Sequence, residues 1–214
     1  MNLAIYQPSW VDLAFVGIII MGMVRGRKRG MSEELMDVLK WLVILVVGAF
    51  LYKPIGNFLC DLSPFSLLSC YLAVYAALMG AVFGFFYMLK KAIGEKLIGS
   101  DVFGNGEYYL GMAAGALRHT CVLIAFMAFI NARYYSPQEI AKDNKTQMDN
   151  FGMTFYTMYQ FQGELFGKSV FGKLTRNHLS VLLIQPTAPE NKRLGGGNRK
   201  NVRARENSVS DILD

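Results

Sequence analysis

At 214 residues the chain has the length of one ordinary domain; 53% of it is apolar and only 18% is charged, below the roughly 25% charged residues of soluble domains. That balance, with twelve Met, fifteen Phe and eleven Tyr, excludes a typical soluble fold and favours a bilayer as the main partner. The net charge of +6 divides between short loops and a polar tail, which argues against nucleic acid and for membrane topology as the use of the charge.

Residues 1–9 carry no Lys or Arg, and the apolar run from Trp10 ends in Met-Val-Arg-Gly-Arg. A secretory signal peptide has its positive charge before its apolar core. The first helix, about residues 10–24, is therefore expected to be a retained anchor with its N-terminus outside the cytoplasm. Trp10 fits an interfacial aromatic belt. An ionisable residue such as Asp12 at the end of a membrane helix is a functional candidate. The preferred reading is plainer: a solvated carboxylate favoured by the helix dipole. Arg25, Arg27, Lys28 and Arg29 lie within five positions, and such a cluster between two apolar runs marks a loop kept in the cytoplasm.

A second helix is expected over 36–58, its outer end marked by Lys53 and Pro54, and a third over 67–89, ending at Lys90 and Lys91. The short outer loop between them is flanked by Cys60 and Cys70. A disulfide is conceivable there, but a cysteine beside an apolar helix is more often a small hydrophobe. No cysteine has metal-ligand spacing, and no metal or cofactor is expected. Residues 92–109 read as an amphipathic segment broken by a glycine loop. The fourth helix, about 109–132, is interrupted by Arg118 and His119. The favoured reading makes Arg118 a headgroup anchor at the inner face. Pairing with Glu34 or with Asp12 (disfavoured, since Asp12 should sit on the opposite face), or a place in a polar pathway, are the alternatives.

Gly22, Gly26 and Gly30 recur every fourth residue, and the spacing returns as Gly80-x-x-x-Gly84 and Gly111-x-x-x-Gly115. Small residues at that spacing let helix backbones approach closely, within the chain or between chains. After Ala132 the chain turns polar. Residues 133–185 read as an amphipathic helical extension on the membrane surface, and 186–214 as a disordered tail. Gly163 to Ser169 resembles a phosphate-binding loop but is one residue short and has no preceding strand. His178 has no catalytic partners. The fold expected is all-α: an integral membrane protein with four transmembrane helices in two hairpins (residues 1–132), then the extension, with the C-terminus outside.

Trp10-x-Asp12, the turn Arg25-Gly-Arg-Lys-Arg-Gly30 followed by Glu34, Leu51-Tyr-Lys-Pro54, and Leu110-Gly-x-x-x-Gly-Ala-Leu-Arg118 occur in this order. Over residues 8–132 the chain thus resembles the colicin V production protein family of bacterial inner-membrane proteins. The resemblance implies a multi-pass inner-membrane protein linked to bacteriocin production or export and envelope maintenance. It supplies no catalytic residues. The reading that follows is a non-enzymatic protein that packs against itself or envelope partners through its glycine faces. Its rival is an oligomeric channel or transporter component whose polar path uses Asp12, Glu34, Arg118 or His119.

Overall fold

The structure, a computed structural model, describes residues 9–98, 106–151, 153 and 155–187. It is helical: α1 (Trp10–Arg29), α2 (Met31–Leu62), α3 (Leu67–Ile98) and α4 (Glu107–Asn131) are followed by α5 (Pro137–Phe151) and α6 (Met158–Gly163). A π-helical turn (Glu164–Lys168), α7 (Val170–His178) and a 3-10 turn (Ser180–Leu182) complete the described chain.

Among the described residues three helices, α2, α3 and α4, are long and apolar enough to cross a membrane. Helix α1 is shorter and carries Asp12 near one end and four basic residues near the other. At 32 residues each, α2 and α3 are roughly 48 Å long, well beyond the roughly 30 Å of hydrocarbon in a bilayer. Their ends therefore project past the apolar layer.

The helices run further than expected at most boundaries. Arg25 to Arg29 belong to the last turns of α1, where a loop was expected. Arg and Lys are good helix formers, and cations near a helix C-terminus are favoured by its dipole. The turn has shrunk to Gly30 alone, at φ 81°, a conformation that costs glycine nothing and other residues dearly. Helix α2 also continues through Pro54 to Leu62.

The arrangement is not two hairpins side by side. Helix α1 packs chiefly on α4, and α2 on both α3 and α4, whereas consecutive α1 and α2 touch little. Helix α4 is thus wedged between them. In their most apolar stretches 56% of α4 is buried, against 28% of α2 and 17% of α3. This explains the irregular composition of α4: a helix lined by protein can carry Arg and His where a lipid-facing one cannot.

The core runs along this wedge. Tyr75 stacks edge-on against Phe129 at 5.0 Å and Tyr52 against Tyr71 at 5.3 Å. The same core takes in Leu165, Phe166, Leu183 and Ile184 from the extension. The extension therefore docks on the helix ends. Asn131 Nδ2 donates to the Ile184 carbonyl at 2.9 Å, the Gln185 amide donates to the Tyr52 hydroxyl, and the amides of Tyr134 and Thr187 close a short bridge. All of the expected glycine loop at 99–106 except Gly106, and the tail beyond 187, lie outside the described residues.

Candidate functional site

The glycines divide into two groups. Along α1 and α4, which run antiparallel, Gly22 faces Gly115 and Gly26 faces Gly111. A Cβ built on Gly111 would lie 2.5 Å from the Gly26 carbonyl oxygen and 2.9 Å from the Gly30 backbone. One on Gly22 would collide with His119 and the Gly115 carbonyl. This is a backbone-to-backbone seam inside one chain, with no room for a side chain. At Gly80 and Gly84, by contrast, nothing lies within 4 Å of a built Cβ. Their expected packing role is not met by any described part of this chain.

Beside the seam, at the end of the basic turn, lies a buried group of charges. Arg118 Nη1 donates to Glu34 Oε2 at 2.8 Å and to Asp37 Oδ2 at 3.1 Å. Arg29 Nη1 lies 3.6 Å from both carboxylates, and Lys40 Nζ is 2.7 Å from Asp37 Oδ1. Glu34 is completely buried. Its second oxygen makes no hydrogen bond, and the buried Ser32 hydroxyl has none either. Arg118 is thus not the headgroup anchor that was favoured. Its side chain is 12% exposed and turns inward, because a buried carboxylate without a counter-charge is very costly. His119, next in sequence, shares Nδ1 with the Gly115 carbonyl at 2.8 Å and fills the space left by Gly22.

The opposite end of α1 carries a second constellation. Asp12 is buried, not solvated. Oδ1 accepts from the Ser169 hydroxyl at 2.6 Å and the Phe171 amide at 3.2 Å; Oδ2 accepts from the Ser9 amide at 2.9 Å and the Val170 amide at 3.0 Å. Ser169 in turn accepts from Gly172 N. Asp12 and Ser169 together satisfy the first three free amides of α7, the groups a helix N-terminus cannot pair internally. Trp10 supports the same contact: its indole N–H donates to Glu164, and its ring meets Phe161 at 6.0 Å. That indole donor, then Tyr156 and Lys168, hold the Glu164 carboxyl below its usual range.

Trp10 and Asp12 are therefore the clamp for the extension. Asp12→Ala should leave the Ser169 hydroxyl and two helix amides unpaired, costing roughly 3 kcal/mol of docking. Limited proteolysis should then cut the segment between α5 and α7 several-fold faster while the α1 to α4 fragment stays intact. An unchanged cleavage rate would deny Asp12 this role.

Residues singled out earlier fall elsewhere or alone. Lys90 and Lys91 are exposed near the end of α3, and His178 is exposed on α7. Cys60, Cys70 and Cys121 are all buried free thiols, so the Cys60–Cys70 disulfide is absent. Among the described residues no group of His, Cys, Asp or Glu could hold a metal. Asp37, Lys40, Ser169 and Glu164 are not singled out by the sequence, and Arg29 only as a member of the basic cluster, not as a partner of Glu34. For Ser169 a signal existed, a serine immediately before a short amphipathic helix. It was absorbed by the likeness to a phosphate loop, which the π turn and the missing strand dispose of.

Residues 11–149 match the family model described as "Colicin V production protein". The chain belongs to this family. The match includes α1 to α4 and nearly all of α5, and so runs past the limit at Ala132 that the motifs suggested. No curated protein and no solved structure matches the chain. Family and helices together make this a multi-pass membrane protein tied to colicin V production.

Proposed function

We propose that the protein is a non-enzymatic accessory component of the inner membrane, with four crossings and both termini outside the cytoplasm. It would serve bacteriocin production or export and envelope maintenance by helix packing with a second copy or an envelope partner. The observation that carries this reading is the division of the glycines. Gly22, Gly26, Gly111 and Gly115 are consumed inside the chain, while Gly80 and Gly84 leave a flat, uncontacted strip on α3. A strip of that kind admits another helix backbone closely. The four-crossing orientation is supported by the basic cluster on α1 and by Lys90 and Lys91 on α3, which bring positive charge to one side.

The test is detergent-stable crosslinking in cells with native mass measurement of the product. Gly80→Leu/Gly84→Leu should abolish the crosslinked species and leave the unfolding temperature unchanged, because neither site meets another atom. A strict monomer in the unaltered protein would overturn the reading. Reporter fusions after Arg133 should report the side outside the cytoplasm.

The fully buried Glu34, with one oxygen and the neighbouring Ser32 hydroxyl left without hydrogen bonds, favours a second reading: a transport component using this cluster as part of a polar path. In liposomes it requires an ion or solute flux that Glu34→Gln removes without disturbing assembly. Absence of flux in the unaltered protein would eliminate it.

A further inference from the structure

On the flank of the glycine seam, at the basic end of the bundle, α1 and α4 enclose an open groove of about 790 Å³. Ile20 and Val24 of α1 and Met112 of α4 form its apolar part, Tyr109 one wall, and Arg27 and Lys28 its mouth. Ile20, Val24 and Arg27 follow one another at helical spacing, so the apolar part extends roughly 6 Å along α1 and the groove reaches roughly 10 Å from Ile20 to the first cation. One face of a helix thus passes from hydrocarbon-compatible to cationic within two turns.

The charges at this mouth differ from those of the buried cluster. Arg29, Lys40 and Arg118 are all paired with carboxylates, whereas no described carboxylate lies within ion-pair distance of Arg27 or Lys28. The nearby Glu107 is turned the other way, toward the Ser32 amide at 3.4 Å. The groove therefore offers two cations that no described carboxylate pairs, above an apolar trough and beside a tyrosine of the kind that favours the membrane interface.

We infer that this groove is a binding site for an anionic glycerophospholipid, in the leaflet that faces the basic end of α1. The headgroup phosphate lies between Arg27 and Lys28, and the first part of an acyl chain lies along Ile20, Val24 and Met112. Charge selects the occupant: a zwitterionic lipid has the same chains but brings its own cation to the mouth. Basic pockets between membrane helices recognise anionic headgroups on these grounds. The close seam at Gly26 and Gly111 gives the site fixed walls, which a lone basic helix end lacks. The assignment stands independently of the surface through which the protein associates.

The test uses the full chain in a neutral detergent, titrated with dioleoyl phosphatidylglycerol or dioleoyl phosphatidylcholine, with bound lipid counted by native mass spectrometry. Phosphatidylglycerol should be retained roughly thirtyfold more tightly, the size expected for two interfacial cations. Arg27→Gln/Lys28→Gln should erase that preference. Val24→Trp fills the trough without touching the charges, and should lower retention of both lipids. Lys90→Gln/Lys91→Gln, at the same end but outside the groove, should change nothing. Millimolar inorganic phosphate should not compete. The inference is overturned by equal retention of the two lipids or by a preference that survives Arg27→Gln/Lys28→Gln. It is equally overturned by full retention in Val24→Trp, by loss of preference in Lys90→Gln/Lys91→Gln, or by displacement with phosphate alone.

Discussion

Arg118→Ala is expected to destabilise the bundle by about 3–5 kcal/mol, the range for removing one partner of a buried ion pair. Glu34 is fully buried and receives its closest contact, 2.8 Å, from this guanidinium. Arg29 lies at 3.6 Å and is a third exposed, so it cannot replace Arg118 without moving. Removing both charges should be far milder than removing one. Glu34→Gln/Arg118→Met should recover most of the loss, because the cost of the single change is an uncompensated charge and not a lost attraction. Arg118→Lys should fall between: both contacts come from the single nitrogen Nη1, which an ammonium can imitate, but an ammonium is more strongly hydrated and so costs more to bury than a guanidinium. Thermal unfolding in detergent, followed by tryptophan fluorescence, orders the variants. If the double variant is as unstable as Arg118→Ala, the cluster is held by geometry and not by charge balance.

Why the sequence named Arg118 but misjudged its task is a matter of range. A guanidinium in an apolar run declares itself in any reading, but its partner on α2 is 84 residues away. The alternatives, a lipid headgroup and a carboxylate, are equally good acceptors on paper. What separates them is the position of α4 between α1 and α2, and nothing in local hydropathy encodes helix order. The glycines repeat the point. Their fourfold spacing was plain, and on α1 and α4 it marks a close approach. The same spacing at Gly80 and Gly84 faces open space within the chain, because spacing specifies a smooth surface and not what lies against it.

Asp12 was legible only as a charge at a helix end. Its partner Ser169 is 157 residues distant, and each half of the contact has an innocent local explanation. A first-turn acidic residue suits its own helix, and a serine before a helix suits its own cap. The structure joins them: the carboxylate that caps α1 also caps α7. The basic turn was misread for a different reason. Charge was taken as a sign of loop, although lysine and arginine extend a helix readily.

Gly26→Leu is expected to be at least as damaging as Arg118→Ala. Overpacking a core commonly costs about 1–3 kcal/mol because side chains can yield, but here the new atoms meet the backbone of Gly111 and Gly115. The helices themselves must separate, so the loss should exceed about 3 kcal/mol and appear as a reduced folded yield. Gly17→Leu, on the same helix where nothing lies within 4 Å, is the matched control and should stay within roughly 0.5 kcal/mol. Gly26→Ala already introduces the offending Cβ and should show a smaller part of the same effect. Its value lies in coupling. Arg29 sits one turn beyond Gly26 on α1 and lies 3.6 Å from Glu34 across the Gly30 turn. A shift of α1 should therefore loosen that ion pair, and Gly26→Ala combined with Arg29→Ala should depart from additivity by more than about 0.5 kcal/mol. Strict additivity would mean that the seam and the charge cluster are separate devices. A clear coupling would mean that the glycines bring α1 close in order to help close the charges around Glu34.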